Sequence, residues 1–376
     1  MPKNPKISSD DFFMRLAIQL AKRGVGAVSP NPPVGALVVK NNRQIALGYH
    51  AKFGGPHAEV MALKKAGKEA QGGTLYVTLE PCSTFGKTPP CINAILASEI
   101  KRVVVGCIDP NPLHKKQGIR LLKKAGVEVT TGILEDECHS LIKPFQKWMT
   151  QKLPYCVVKS ALSLDGKIAT PSYESQWITG KEARKFSYEL RRMSDGIIVG
   201  INTVLRDDPR LTLHQRGKRD PFKIVVDSSA RIPLHSKLVS KYASKVILAT
   251  TSLAPAKKMN TLKKRGIQIV QTSSMEGKVH LRELFVELGK RGIISLLVEG
   301  GGTLAASIFE NKLADRIVFF YAPLLIGGSH APTPFHGKGV SKLSDALKII
   351  HTKMFKVGDD FVIEGDVSYK NSKIKM

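Results

Sequence analysis

His57-Ala58-Glu59, followed by Thr74-Leu75-Tyr76-Val77-Thr78-Leu79-Glu80-Pro81-Cys82 and then Pro90-Cys91, is the stretch from which the fold is read. Residues 74–79 form a short apolar run between Gly72-Gly73 and a proline, the pattern of a buried strand. His57 opens a helix that runs to about Lys65, with Gly67 beyond it, and a second helix opens near Pro90. Working outward, Ser8 to Asp11 start a helix in which Phe13, Leu16, Ala17 and Leu20 recur at helical spacing before Gly24. Residues 34–39 and 44–48 read as partner strands, 102–107 and 127–131 as further strands, and 117–124 and 135–149 as helices. Strands alternating with helices predict an α/β sandwich around a mostly parallel sheet.

A second alternation begins after Lys152-Leu153-Pro154. Strands are expected at 155–161, 196–199, 223–226, 245–249, 293–298 and 316–321, helices at 181–193 and after Gly302, and an edge strand at 361–364. No internal repeat links the halves. A chain of 376 residues exceeds a usual single domain, so two domains are predicted, 1–150 and 151–376.

One histidine and two cysteines are donors that Zn²⁺ prefers, and three protein ligands leave a fourth position for water. Glu59 lies two residues from His57, close enough to serve that water without binding the metal. Such a set suits hydrolysis: the metal makes hydroxide available near neutral pH and the carboxylate moves protons. His57 and Cys91 stand at helix starts, where positive potential favours deprotonated ligands. Each fragment alone is weak, because His-x-Glu is common and two cysteines can be small core residues. Their order on a βαβ framework makes the set specific. Cys107, Cys138 and Cys156 lie in or beside apolar segments and read as core thiols. His114 and His139 read as residues of helix surfaces.

Hydrophobic residues make up 42% and charged residues 24%, a globular composition. The opening MPKNPKISSDDFF lacks the apolar region of a secretory leader, and no apolar run of about 18 residues occurs. Five cysteines at irregular spacing argue against a disulfide framework, so reduced thiols and a cytoplasmic location are expected. The net charge of +27 invites a nucleic-acid reading. It is spread, however: residues 1–150 carry 21 basic against 11 acidic residues, and the rest carry 37 against 20. A uniformly basic chain reflects the compositional bias of its source as readily as a nucleic-acid footprint, and a phosphorylated small substrate is compatible with both.

Gly55-Pro56-His57-Ala58-Glu59 with Leu79-Glu80-Pro81-Cys82 resembles the cytidine deaminase superfamily. That superfamily usually has two residues between its cysteines; here Cys82-Ser83-Thr84-Phe85-Gly86-Lys87-Thr88-Pro89-Pro90-Cys91 has eight. The longer gap, and Ser29-Pro30-Asn31-Pro32-Pro33-Val34-Gly35, resemble the bifunctional pyrimidine deaminase/reductases of riboflavin biosynthesis. The resemblance implies His57, Cys82 and Cys91 as ligands of one Zn²⁺, Glu59 as proton shuttle, and Asn31, His50 and Lys87 as substrate contacts. Asn31 does offer a donor and an acceptor to a pyrimidine edge, and Lys87 suits a phosphate. Their plainer readings are turn chemistry before Pro32 and a solvated loop. The family often has histidine where Thr84 stands.

In the second half, Val298-Glu299-Gly300-Gly301-Gly302-Thr303 ends a strand and opens a helix, where backbone N–H groups can take a phosphate. Pro323 to Gly328 is a second glycine turn after a strand, and Gly200 to Leu211 puts acidic, basic and hydroxyl groups just past the strand at 196–199. None fits the fingerprint Gly-x-Gly-x-x-Gly, and a glycine cluster is often only a tight turn. Lys159-Ser160-Ala161-Leu162-Ser163-Leu164-Asp165-Gly166-Lys167-Ile168-Ala169 and Ser175-Gln176-Trp177-Ile178-Thr179-Gly180 resemble the reductase domain of the same family. The implied architecture is a cytidine-deaminase-like α/β/α sandwich followed by a dihydrofolate-reductase-like α/β domain. By that resemblance Ala161, Trp177, Thr203, Asp207, Ser228 and the turn Gly301, Gly302, Thr303 hold NADPH. Ser175, Arg191, Leu211, His214 and Glu299 face the phosphoribosyl substrate, although the family commonly has arginine where His214 stands. Lys159 and Asp207 are the candidates for proton transfer. The implied partner is a small phosphorylated pyrimidine, with no nucleic acid and no membrane, and a homo-oligomer is left open. The competing expectation, drawn from the charge, is a base deaminase acting on single-stranded nucleic acid in a salt-sensitive way.

Overall fold

Ser8 accepts a hydrogen bond from the Asp11 amide at 3.0 Å and so caps α1 (Ser9–Lys22). In the computed structural model, residues 8–86, 88–112, 114–213 and 219–369 are described, in two units, Met1–Lys152 and Leu153–Met376. The first unit continues with β1 (Gly35–Lys40), β2 (Arg43–Tyr49), α2 (Ala58–Ala66), β3 (Thr74–Leu79) and α3 (Cys91–Ala97). It ends with β4 (Arg102–Cys107), α4 (Gln117–Lys124), β5 (Glu128–Thr131) and α5 (Glu135–Gln151).

The sheet order is β2-β1-β3-β4-β5. β1 runs antiparallel to both β2 and β3, while β4 is parallel to β3 and β5. Four of the five strands, β2, β3, β4 and β5, therefore run the same way and the sheet is mostly parallel as expected, with β1 alone reversed. Asn41 and Asn42, at φ 50° and 59°, close β1 onto β2 as a two-residue hairpin, and asparagine tolerates that backbone. One face of the sheet packs Leu37, Tyr76 and Val104 against α1 and α5; the other packs Val38, Val77 and Val105 against α2, α3 and α4. This is the expected α/β/α sandwich. Gly48 sets the height of α2, since a Cβ there would lie 2.2 Å from the Ala58 carbonyl oxygen. The helix that begins after His57 thus rests directly on the backbone of β2.

The second unit contains β6 (Tyr155–Ser163), α6 (Lys181–Met193), β7 (Gly196–Gly200), α7 (Ile201–Asp207), β8 (Phe222–Val226) and α8 (Lys237–Lys241). There follow β9 (Val246–Thr250), α9 (Ala256–Lys264), β10 (Gln268–Gln271), the small pair β11 (Ser274–Met275) and β12 (Lys278–Val279), and α10 (Leu281–Lys290). The last elements are β13 (Ser295–Val298), α11 (Gly302–Glu310), β14 (Arg316–Ala322), β15 (Lys348–Val357) and β16 (Asp360–Ser368). Nine strands form one sheet in the order β10-β9-β8-β7-β13-β6-β14-β16-β15. It is parallel as far as β14 and antiparallel beyond. The strand expected at the edge, 361–364, lies inside, because β15 pairs along its outer side. β13 enters between β7 and β6, so the order of strands switches there. Crevices for ligands form at the carboxyl ends of strands around such a switch.

Candidate functional site

His57 occupies the N-cap position of α2 with extended backbone, and its ring turns to sulfur. Nδ1 stands 3.1 Å from Cys91 Sγ and 3.5 Å from Cys82 Sγ. Cys91 is the first residue of α3, and its backbone amide donates to Cys82 Sγ at 3.3 Å. The three donor atoms lie within 4.8 Å of one another. Glu59, only 4% exposed, lies beside His57, Cys82 and Cys91, all of which act on its carboxyl.

Hydrogen bonding from Cys91 and His57 holds the Cys82 thiol well below its ordinary range, to about 4. Cys91 is pushed upward by its bond to that thiolate and by burial. Burial and the neighbouring Cys82 charge raise the Glu59 carboxyl, with His57 partly opposing. One borderline nitrogen and two sulfurs, one of them already an anion, fit a dication that displaces the remaining proton.

Asn31 and His50 stand beside this cluster. Asn31 Nδ2 lies 3.1 Å from His50 Nε2, and His50 Nδ1 lies 3.0 Å from the Pro56 carbonyl oxygen. The carbonyl requires a proton on Nδ1, which leaves Nε2 as acceptor. Burial lowers the His50 pKa, which favours the neutral ring, with the hydrogen bond to Pro56 partly opposing. Its ring meets that of His57 edge-on at 5.3 Å. Lys87 lies outside the described residues. Thr84 Oγ1 is 3.3 Å from His114 Nδ1, so His114 sits in the turn before α4 next to the ligand loop, not on a helix surface.

In the second unit a cavity of about 1380 Å³ opens at the carboxyl ends of β6, β7, β8 and β13. Its wall includes Lys159 and Ala161 from β6, Ser175 and Trp177 from the loop that follows, and Arg191 from α6. Thr203 and Asp207 reach it from α7, Ser228 from the end of β8, and Glu299, Gly301, Gly302 and Thr303 from the turn after β13. Arg191 and Glu299 form a bidentate pair, with Nε–Oε1 and Nη2–Oε2 both at 2.7 Å. Burial raises the Glu299 carboxyl, but Arg191 and Lys159 outweigh it and hold the group below its ordinary value. Burial in turn lowers the Lys159 pKa; its ammonium lies 5.6 Å from the centre of the Phe320 ring.

Gly301 is the N-cap of α11, and a Cβ there would meet open space. The start of that helix is thus open at Gly301, the kind of position at which backbone amides can take a phosphate. Trp177 is 66% exposed and stacks on Arg184, whose guanidinium lies 4.6 Å from the ring centre. Leu211 does not line the cavity. It is 4% exposed and packs with Ile197, Val204 and Val225, its backbone at φ 50°. His214 lies outside the described residues. Asn202 and Arg206, from the polar stretch after β7, also line the cavity, and Arg231 does so without having been foreseen, although it follows β8 as Ser228 does.

Residues 7–107 match the family described as the cytidine and deoxycytidylate deaminase zinc-binding region, and residues 154–363 match the RibD C-terminal domain. A zinc-binding deaminase domain joined to a reductase domain is the class so defined. Over 355 residues the chain is 41% identical to the riboflavin biosynthesis protein RibD of Aquifex aeolicus, covering 94% of this chain and 97% of that one. The solved structure of Acinetobacter baumannii RibD superposes with a TM-score of 0.87 at 35% identity, covering 96% of this chain and all of that chain. A Thermotoga maritima structure, titled a diaminohydroxyphosphoribosylaminopyrimidine deaminase/5-amino-6-(5-phosphoribosylamino)uracil reductase, superposes at 0.82 with 34% identity, covering 96% and 99%. The chain belongs to the RibD family of riboflavin biosynthesis proteins.

Proposed function

We propose that residues 1–150 hydrolytically deaminate 2,5-diamino-6-(5-phosphoribosylamino)pyrimidin-4(3H)-one, and that residues 151–376 reduce the ribosyl group of the product with NADPH. The final product is 5-amino-6-(5-phosphoribitylamino)uracil. The observation that carries the first step is the position of Glu59 against the donor set His57, Cys82 and Cys91. Zinc bound by those three residues supplies a Lewis acid that makes water acidic enough to act near neutral pH. Glu59 takes a proton from the attacking water and delivers it to the amine as the C–N bond breaks and ammonia leaves. A carboxyl raised by burial is suited to both halves of that transfer. Asn31, held through one Nδ2 hydrogen by His50, turns its carbonyl oxygen and second N–H to the pyrimidine edge, with His50 as the ring that orients it, and Lys87 is assigned to the same substrate.

In the second step NADPH, when bound, supplies hydride to C1′. Trp177, Ala161, Thr203, Asp207, Ser228 and the turn from Gly301 to Thr303 hold the cofactor in this reading. Ser175, Arg191 and Glu299 orient the phosphoribosyl group. Lys159 holds a proton for the sugar oxygen released at C1′, with Asp207 as the second candidate for that transfer. Five cysteines, with no disulfide among the described residues, support a reducing compartment, which we read as the cytoplasm.

Changing Glu59 to Gln tests the two-step reading. We expect ammonia release to fall at least 100-fold, the range of a positioned acid–base group, while NADPH oxidation on pre-deaminated pyrimidine stays intact. Loss of both activities in a folded variant would overturn it.

A further inference from the structure

β3 ends at Leu79, and the next residue is a carboxylate only 3% exposed. Glu80 Oε2 accepts from the amides of Lys116 at 2.9 Å and Asp109 at 3.2 Å. Its Oε1 accepts from Gly118 at 3.1 Å and Ile119 at 3.4 Å. The first amides of a helix need acceptors from outside it. The N-cap of α4 is Lys116, with left-handed backbone at φ 59°, and the acceptor comes instead from Glu80 on a different element. Contacts on both sides of Cys82 repeat the attachment. A Cβ at Gly118 would stand 2.2 Å from the Pro81 carbonyl oxygen, so the chain lies directly on the helix. Ser83 Oγ donates to Gln117 Oε1 at 3.2 Å. Residues 80, 81 and 83 thus all engage the first turn of α4, while Cys82 Sγ turns the other way, to His57 and the Cys91 amide.

We propose that Glu80 is a positioning residue that fixes the Cys82 arm of the donor set by fastening the turn between β3 and the ligand to the first turn of α4. The inference rests on the reading that His57, Cys82 and Cys91 hold zinc. Glu80 is not a second proton carrier, because both of its oxygens are filled by backbone donors. Its part is to restrict where the sulfur can be. Groups that orient metal ligands in this way typically alter metal affinity 10- to 100-fold when removed.

Two variants of the full chain probe the attachment from opposite sides. Glu80→Gln keeps the shape but sets an NH₂ against one pair of amides; Gly118→Ala presses chiefly on the Pro81 carbonyl, its Cβ in ordinary contact with Glu80 Cγ at 3.5 Å. Zinc affinity is read by competition with a chromophoric chelator, and NADPH oxidation on pre-deaminated pyrimidine reports that the rest of the chain is intact. We expect zinc to bind roughly 10- to 100-fold more weakly in both variants at unchanged reductase rate. Saturating zinc should restore deaminase kcat in Glu80→Gln, with KM little altered. Either folded variant holding zinc within twofold of the unmodified chain overturns the role given to Glu80 and leaves the zinc reading standing. An unmodified chain that does not retain zinc at all overturns both.

Discussion

Glu59 and Asp109 are both buried carboxylates in the first unit, yet their surroundings give them different work. Glu59 faces two sulfurs and an imidazole, whereas Asp109 accepts from the Asn111 amide at 2.8 Å and lies near Glu80. Burial pushes Asp109 up to about 6, with its hydrogen bond to Asn111 only partly opposing. The folded chain therefore binds this proton more tightly than the unfolded chain. The destabilisation due to the charged form grows as pH rises from about 4 to 6 and is complete above 6. Asp109→Asn should become more stable than the unmodified chain over that interval, by on the order of 2 kcal/mol at pH 7. Thermal denaturation at pH 4 and pH 7 checks this, and an advantage already complete at pH 4 would contradict it. The ligand set was legible in the sequence because the donors are of unusual type and stand in a definite order. Leu211 was not, because the direction of a side chain from a left-handed backbone cannot be read from residue type.

Among elements, the first unit was read almost to its boundaries, since β1, β3 and β4 are apolar runs closed off by turn residues. β15 escaped notice because Lys348–Val357 is exposed along nearly its whole length, so no buried face imprints a period on it. Its presence moved the expected edge strand inside the sheet. α9, β10 and α10 were also missed between the strands at 245–249 and 293–298. The hairpin at Asn41-Asn42 sets β1 against the direction of the other four strands, a matter of turn chemistry that the alternation of strands and helices does not reveal. The seating of α2 carries a prediction. Gly48→Ala places a methyl 2.2 Å from the Ala58 carbonyl, so the helix must shift and take His57 with it. We expect a loss of about 1–3 kcal/mol in stability together with reduced zinc content, measured by denaturation and by metal analysis of the purified protein. Full zinc content at unchanged stability would refute this seating.

For the molecule as a whole, the net charge of +27 first suggested nucleic acid, whereas the family to which the chain belongs is one of riboflavin biosynthesis proteins. The donor set is half-buried to buried, and the cavity is of a size for a dinucleotide with a second small molecule. Every residue that lines that cavity lies beyond residue 153. Stripping the metal with a chelator should therefore abolish ammonia release and leave NADPH consumption on the deaminated pyrimidine unchanged, with zinc restoring the first activity. Loss of both rates on chelation would mean that the units depend on the metal together. Among the described residues no helix is long and apolar enough to cross a membrane. The division at Lys152 and Leu153 has one more consequence. Because one polypeptide carries both units, every ribosome that finishes the chain makes them in equal number. Two successive reactions are thereby kept at a fixed enzyme ratio without any matching of gene expression.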